Sequence, residues 1–128
     1  MRLVFSLLFI LFSTWVSAQE LPPVINFNSN LYAGGNQKWM VSQAANDNSY
    51  VANSAALLEY NGAEWKVYHV PNESVVRSVK VVGDLIFTGA YKEVGYWQRN
   101  EKGILEYTSM VPLFPGELRD GQQFWHIE

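Results

Sequence analysis

Gln37 to Tyr68 reads QKWMVSQAANDNSYVANSAALLEYNGAEWKVY, and the rest of the chain is arranged around this pattern. Four short runs with strand-like alternation lie within or just beyond it: Lys38 to Gln43, Ser49 to Asn53, Ala56 to Asn61 and Glu64 to Val70. Asn46-Asp47-Asn48, Ser54-Ala55 and Asn61-Gly62 separate them, and such small or polar clusters are turn formers. Asn-Gly suits a type I′ turn, which needs positive φ at both central residues, so the third and fourth runs are predicted to form a hairpin. The whole stretch is predicted to be a four-stranded antiparallel meander.

The pattern recurs at an offset of 37 residues, which sets Trp39 on Val76, Tyr50 on Phe87, Val51-Ala52-Asn53 on Thr88-Gly89-Ala90, and Tyr60 on Trp97. The second unit runs SVVRSVKVV, a Gly83-Asp84 turn, LIFTG, a connection from Ala90 to Lys92, EVGYWQR, a turn from Asn100 to Gly103, and ILEYTSM. A third unit opens at Gln123-Phe124-Trp125-His126-Ile127, where Trp125 would take the place of Trp39 and Val76. Four strands recurring at about forty residues are the signature of β-propeller blades. The predicted fold is therefore all-β: two four-stranded antiparallel blades plus the first strand of a third, in an incomplete ring. A single small antiparallel sandwich is the competing arrangement.

The segments divide as 1–18 signal peptide, 19–36 extended N-terminal segment, 37–70 first blade, 71–110 second blade, and 111–128 loop and opening strand of a third blade. Arg2 supplies a positive start, Leu3 to Val16 an uncharged apolar stretch, and Val16-Ser17-Ala18 a small-residue cleavage site before Gln19. The apolar stretch is shorter than the roughly 20 residues of a spanning helix. In 19–36, Pro22-Pro23 imposes an extended start, Val24 to Phe27 could form a short strand, and Gly34-Gly35 a sharp turn; a disordered leader is the alternative. Two blades cannot close a ring of about four to eight, so the chain is expected to be the N-terminal piece of a longer protein.

Composition narrows the chemistry. The 128 residues carry a formal charge of −3 with no basic run, which argues against direct nucleic-acid contact. There is no cysteine, so stapling, thiolate catalysis and cysteine-ligated metal are excluded. His69 and His126 lie in separate units without partners at metal-ligand spacing, and no metal or cofactor is expected. Asn46-Asp47-Asn48 lacks the glycine and distal glutamate of an EF-hand loop. Glu93 and Glu106 could be cast as a glycosidase pair, but each also reads as the solvent side of an alternating strand. Neither a Gly-x-Ser-x-Gly elbow nor a phosphate-cradling loop is present.

Most aromatics recur at equivalent positions and read as core. Tyr91 and Lys92 instead sit in the connection between the second and third strands of the second unit, where Asn53 and Ser54 sit in the first. If the first strand of each blade is innermost, these connections share one rim with the links from Pro71 to Ser74, which include Asn72, and from Leu113 to Gln122. Asn53, Ser54, Asn72, Tyr91 and Lys92 are therefore the candidate ligand-binding residues, suited to a sugar or peptide.

GGNQKWMVSQ, YVANSAALLEYNGAEWKVYHVPNESVVRSV, IFTGAYKEVGYWQ and QQFWHIE together resemble the N-terminal blades of two-component-regulator propeller sensors, particularly those with a triple-tyrosine domain after the propeller. The matching elements are Trp39, Tyr50-Val51-Ala52-Asn53, Leu57 to Gly62 with Trp65, and Val76-Arg77-Ser78; Ala56 stands where that family commonly has glycine. The resemblance implies a periplasmic sensor propeller, tethered to the inner membrane in a longer protein. Its kinase or DNA-binding output would lie beyond this chain. The partners it implies are an oligosaccharide or other small ligand, the remaining blades, and a second copy in a homodimer of the full-length form. A secreted propeller enzyme acting on carbohydrate, or a surface adhesion protein, is the alternative.

Overall fold

The computed structural model describes Met1, residues 21–116 and residues 123–128. The expected leader, and the loop beyond Gly116, fall outside the described residues. The regular structure among the described residues is mostly β, with a 3-10 turn at Val111–Leu113 after the last strand. A one-turn helix, α1 (Ser29–Tyr32), precedes eight strands: β1 (Lys38–Gln43), β2 (Ser49–Asn53), β3 (Leu57–Tyr60), β4 (Trp65–Tyr68), β5 (Val76–Val82), β6 (Leu85–Ala90), β7 (Glu93–Arg99) and β8 (Leu105–Ser109). They form two four-stranded antiparallel meanders, β1-β2-β3-β4 and β5-β6-β7-β8.

The repeat holds with one correction. Tyr50 pairs with Glu59 and Phe87 with Tyr96, so the 37-residue offset is kept through the second and third strands of each sheet. In the first strand the offset is 38. Lys38 pairs with Asn53 and Met40 with Ala52, leaving Trp39 unpaired; Val76 pairs with Ala90 and Ser78 with Gly89, leaving Arg77 unpaired. Both sheets thus carry a bulge at the same place, and the structural counterpart of Trp39 is Arg77, not Val76. An extra residue on one strand re-aims its side chain and shifts the register by one.

Turn chemistry explains a second correction. Tyr60 pairs with Trp65, so the β3–β4 hairpin has a four-residue connection in which Gly62 alone has positive φ (+93°). The Asn61 side chain shapes it, its Oδ1 accepting from Ala63 N at 3.0 Å and Glu64 N at 2.8 Å. This side-chain mimic of a backbone turn displaces the expected type I′ geometry. Val24 to Phe27 forms no strand, having no ladder to join. Instead, Asn28 Oδ1 accepts from Asn30 N at 3.1 Å to cap α1. The Phe27 ring packs 5.0 Å from that of Tyr60 and 5.3 Å from that of Trp65.

The sheets stack face to face in one direction. Strand alternation puts Tyr50, Ala52 and Leu57 on the face of the first sheet that meets the second, where they pack with Val79, Ile86, Ala90, Trp97 and Leu105. The opposite face of the first sheet, with Val51 and Leu58, is covered by Phe27 and Tyr32. At the 37-residue offset, Tyr50 and Leu57 correspond to Phe87 and Val94, which lie on the far face of the second sheet. Tyr60 corresponds to Trp97, which faces the first. Unlike faces therefore meet, as in a repeat that can be extended, whereas a two-sheet sandwich joins like faces.

Residues 123–128 lie beside β5 and the end of β6 without forming a strand. In place of the ladder expected over Gln123 to Ile127 there is a single bridge, Tyr91 to Gln123, and a 3.3 Å bond from Phe124 N to Ala90 O. Ser78 Oγ donates to Phe124 O at 3.0 Å, while its counterpart Met40 accepts at Sδ from Val79 N at 3.4 Å. The terminal segment thus lies against β5 much as β5 lies against β1.

Candidate functional site

The starts of β1 and β5 and the ends of β2 and β6 lie at one end of the stacked sheets, because Lys38 pairs with Asn53 and Val76 with Ala90. All five rim candidates are at this end, but in different roles. Asn53 is fully buried. Its Oδ1 accepts from Gly35 N (2.7 Å) and Ala55 N (3.0 Å), and its Nδ2 donates to Gly35 O (2.7 Å) and Gln37 O (3.0 Å). With every polar atom engaged, it clamps the segment entering β1 and has little left for a ligand. Ser54 assists through its backbone, donating to Gln37 O at 3.0 Å.

Asn72, Tyr91 and Lys92 do come together. Asn72 Nδ2 and Ser74 Oγ both donate to Tyr91 O, at 2.9 and 3.2 Å, tying the inter-sheet link to the β6–β7 connection. The Tyr91 side chain stays accessible, and Lys92, at φ +55°, carries its Nζ 5.6 Å from the Tyr91 ring centroid.

Beside them is a cluster that the aligned repeat obscured. The Arg77 guanidinium carbon lies 4.0 Å from the Trp39 ring centroid and 4.5 Å from that of Trp125, and the two indoles meet edge to face at 5.9 Å. The bulges at Trp39 and Arg77 turn both side chains to this end, and Phe124 anchors Trp125 by packing where Gly89 leaves room. A Cβ on Gly89 would lie 2.6 Å from Phe124 O. Trp39 is 40% exposed and Trp125 54%. Arg77 makes no ion pair among the described residues, and Nε is its only buried nitrogen without a partner. The signal in the sequence was the order Trp39, Arg77, Trp125 at the openings of three successive units.

A second cluster joins the sheets. The Glu59 carboxylate is almost fully buried and accepts from Asn48 Nδ2 (2.9 Å), Tyr50 OH (3.1 Å), Tyr68 OH (2.9 Å) and Arg99 Nη2, the last reaching across from β7. Arg99 also borders a cleft of about 290 Å³ with Asn46, Tyr50 and Asp84. Its hydrogen bonds go to Glu59, Tyr50 and Gly103 O, so the cluster reads as a fastening of the two sheets. Burial, with the hydrogen bond to Glu59, pushes the Tyr68 phenol up to about 12, and burial likewise raises Tyr50. A raised phenol favours the folded state below its ordinary value near 10 and loses that advantage as pH rises through the folded value. Unfolding free energy should accordingly fall between about pH 10 and 12. Tyr68→Phe should flatten that fall in urea titrations, and an unchanged slope would mean that Tyr68 is not the group responsible.

The remaining candidates carry less. Glu93 Oε1 accepts from Tyr107 OH (2.9 Å) and Ser109 Oγ (2.6 Å), and burial followed by the Glu93 charge raises the Tyr107 phenol. Glu106 pairs with Gln98, five positions along β7 from Glu93, which separates the two by about 17 Å of strand, too far for a glycosidase pair. His126 lies 3.4 Å from Glu128 at the exposed C-terminal end, and no group of three potential metal ligands occurs among the described residues. No helix among the described residues is long and apolar enough to cross a membrane.

No protein-family model matches this chain, and no curated protein or solved structure matches it either.

Proposed function

We propose that this chain is a ligand-sensing segment of a β-propeller, exported and acting in a longer signalling protein of the two-component-regulator type. The observation that carries the reading is the rim where Trp39, Arg77 and Trp125 converge beside Tyr91 and Lys92. Every member comes from the opening of a repeat unit or from a connection, where side chains are free of the sheet core. The one-way stacking of the sheets, with residues 123–125 against β5, supports blades over a closed sandwich. Half-exposed aromatic faces next to polar donors are suited to the apolar face and hydroxyl edge of a sugar ring. The exported location and the oligosaccharide ligand rest on the leader and on the sensor resemblance of the blade motifs.

The test is a titration of the full chain with a panel of neutral and acidic oligosaccharides, read by tryptophan fluorescence. Saturable change with at least one sugar, lost in Trp39→Ala, is the expected result. A panel that leaves the emission of the folded chain unmoved overturns the reading. Chromatography of the same mixtures should recover the sugar uncut; new reducing ends would make the chain part of an enzyme.

A further inference from the structure

Within the rim, no carboxylate pairs with the Arg77 guanidinium among the described residues. Its central carbon lies 4.0 Å from the Trp39 ring centroid and 4.5 Å from that of Trp125, and both indoles remain half exposed. A guanidinium over an aromatic ring is held by cation–π attraction and keeps its outer N–H groups able to donate. Of its nitrogens only Nε is sealed away, and no carboxylate pairs with it among the described residues.

The electrostatic setting is unusual for this chain. The protein is acidic overall, yet Lys38, Arg77 and Lys92 all lie at this end. Among the described residues, the acidic groups that flank it are Glu73 in the inter-sheet link, Glu93, and Glu128. Glu93 accepts from Tyr107 and Ser109, while Glu128 is exposed, 3.4 Å from His126, and makes no ion pair with Arg77. Glu73 has a φ of +51° set by its turn, and no ion pair joins it to Arg77.

We infer that the Trp39–Arg77–Trp125 ledge is a subsite for a carboxylate-bearing sugar, with a uronate as the simplest case. The guanidinium edge donates to the carboxylate in the paired geometry that arginine favours, while the indoles take the carbon face of the ring. This inference rests on the sugar-binding reading above and gives that reading a substrate class. An acidic peptide would satisfy Arg77 but would leave the flat indole faces without a matching surface.

The experiment compares tetragalacturonate with its fully methyl-esterified twin, which has the same rings without the charge. Binding to the full chain is read by tryptophan fluorescence and calorimetry. The acid should bind at least about tenfold more tightly, the scale of a hydrogen bond to a charged group. Added salt should reduce that preference. Arg77→Gln should bring acid and ester to equal affinity, and Arg77→Lys should keep part of the preference, with near-UV circular dichroism checking the fold of each variant. Equal affinity for acid and ester, or a preference that survives in Arg77→Gln, overturns the inference and leaves the sugar-binding reading intact. Failure of both compounds and of every neutral sugar overturns both. Hexaglutamate binding as tightly as the uronate would overturn the assignment to carbohydrate.

Discussion

Replacing Glu59 by leucine should destabilise the chain by about 3 to 5 kcal/mol, the scale on which removing one partner of a buried ion pair acts. The loss has two sources. Asn48, Tyr50 and Tyr68 each forfeit an acceptor, and Arg99 is left without its carboxylate. The two ends of the pair are unequal, since the Glu59 side chain is 3% exposed and that of Arg99 33%. Water can therefore hydrate an orphaned Arg99 in part, which favours the lower end of the range for the glutamate substitution. Arg99→Met leaves the carboxylate with three neutral donors and no cation in a dry site, so it should cost at least as much. The double substitution should cost less than the two singles together, because each single counts an orphan that the double removes. Urea unfolding of the four proteins checks this. Strictly additive costs would mean that the fastening is only packing.

That fastening shows where the sequence stopped being informative. The strands were legible because each is a short alternating run between turn formers, and the observed β1 and β2 end where the alternation ends. The bond between Glu59 and Arg99 spans forty residues and two sheets, and neither residue type marks it. At the 37-residue offset Glu59 faces Tyr96, so the repeat itself gives no hint of a buried carboxylate.

The site was half legible for a similar reason. Tyr91, Lys92 and Asn72 fall in connections, and connections at one end of a meander come together whatever the details. Asn53 falls at such a place too, but its amide has both donors and acceptors, and the backbone entering β1 uses all of them. The Trp39–Arg77–Trp125 ledge depended on an unpaired residue in each first strand. A constant sliding offset cannot represent a bulge, so the arginine was matched one position away from its structural counterpart.

Leu57 and Leu58 allow the role of the N-terminal segment to be measured. They are neighbours on β3, both essentially fully buried, and strand alternation sends them to opposite faces. Leu57 enters the core between the sheets, among Tyr50, Val76 and Trp97, where two ladders hold the walls apart. Leu58 packs under Tyr32, with Phe27 and Trp65 alongside, and only one wall of that cluster is a sheet. Truncation to alanine costs about 2 to 5 kcal/mol in cores, and the value grows with the cavity that remains. Leu57→Ala should fall near the upper end, since hydrogen-bonded sheets cannot close over the void. Leu58→Ala should fall near the lower end, because the short segment carrying Phe27 and Tyr32 can settle inward. Phe27→Ala should then lower the cost of Leu58→Ala further while leaving that of Leu57→Ala unchanged, as expected of residues on opposite sides of one sheet. If Phe27→Ala alters both equally, the segment supports the whole stack rather than one face, and the assignment of two separate cores to the first sheet fails.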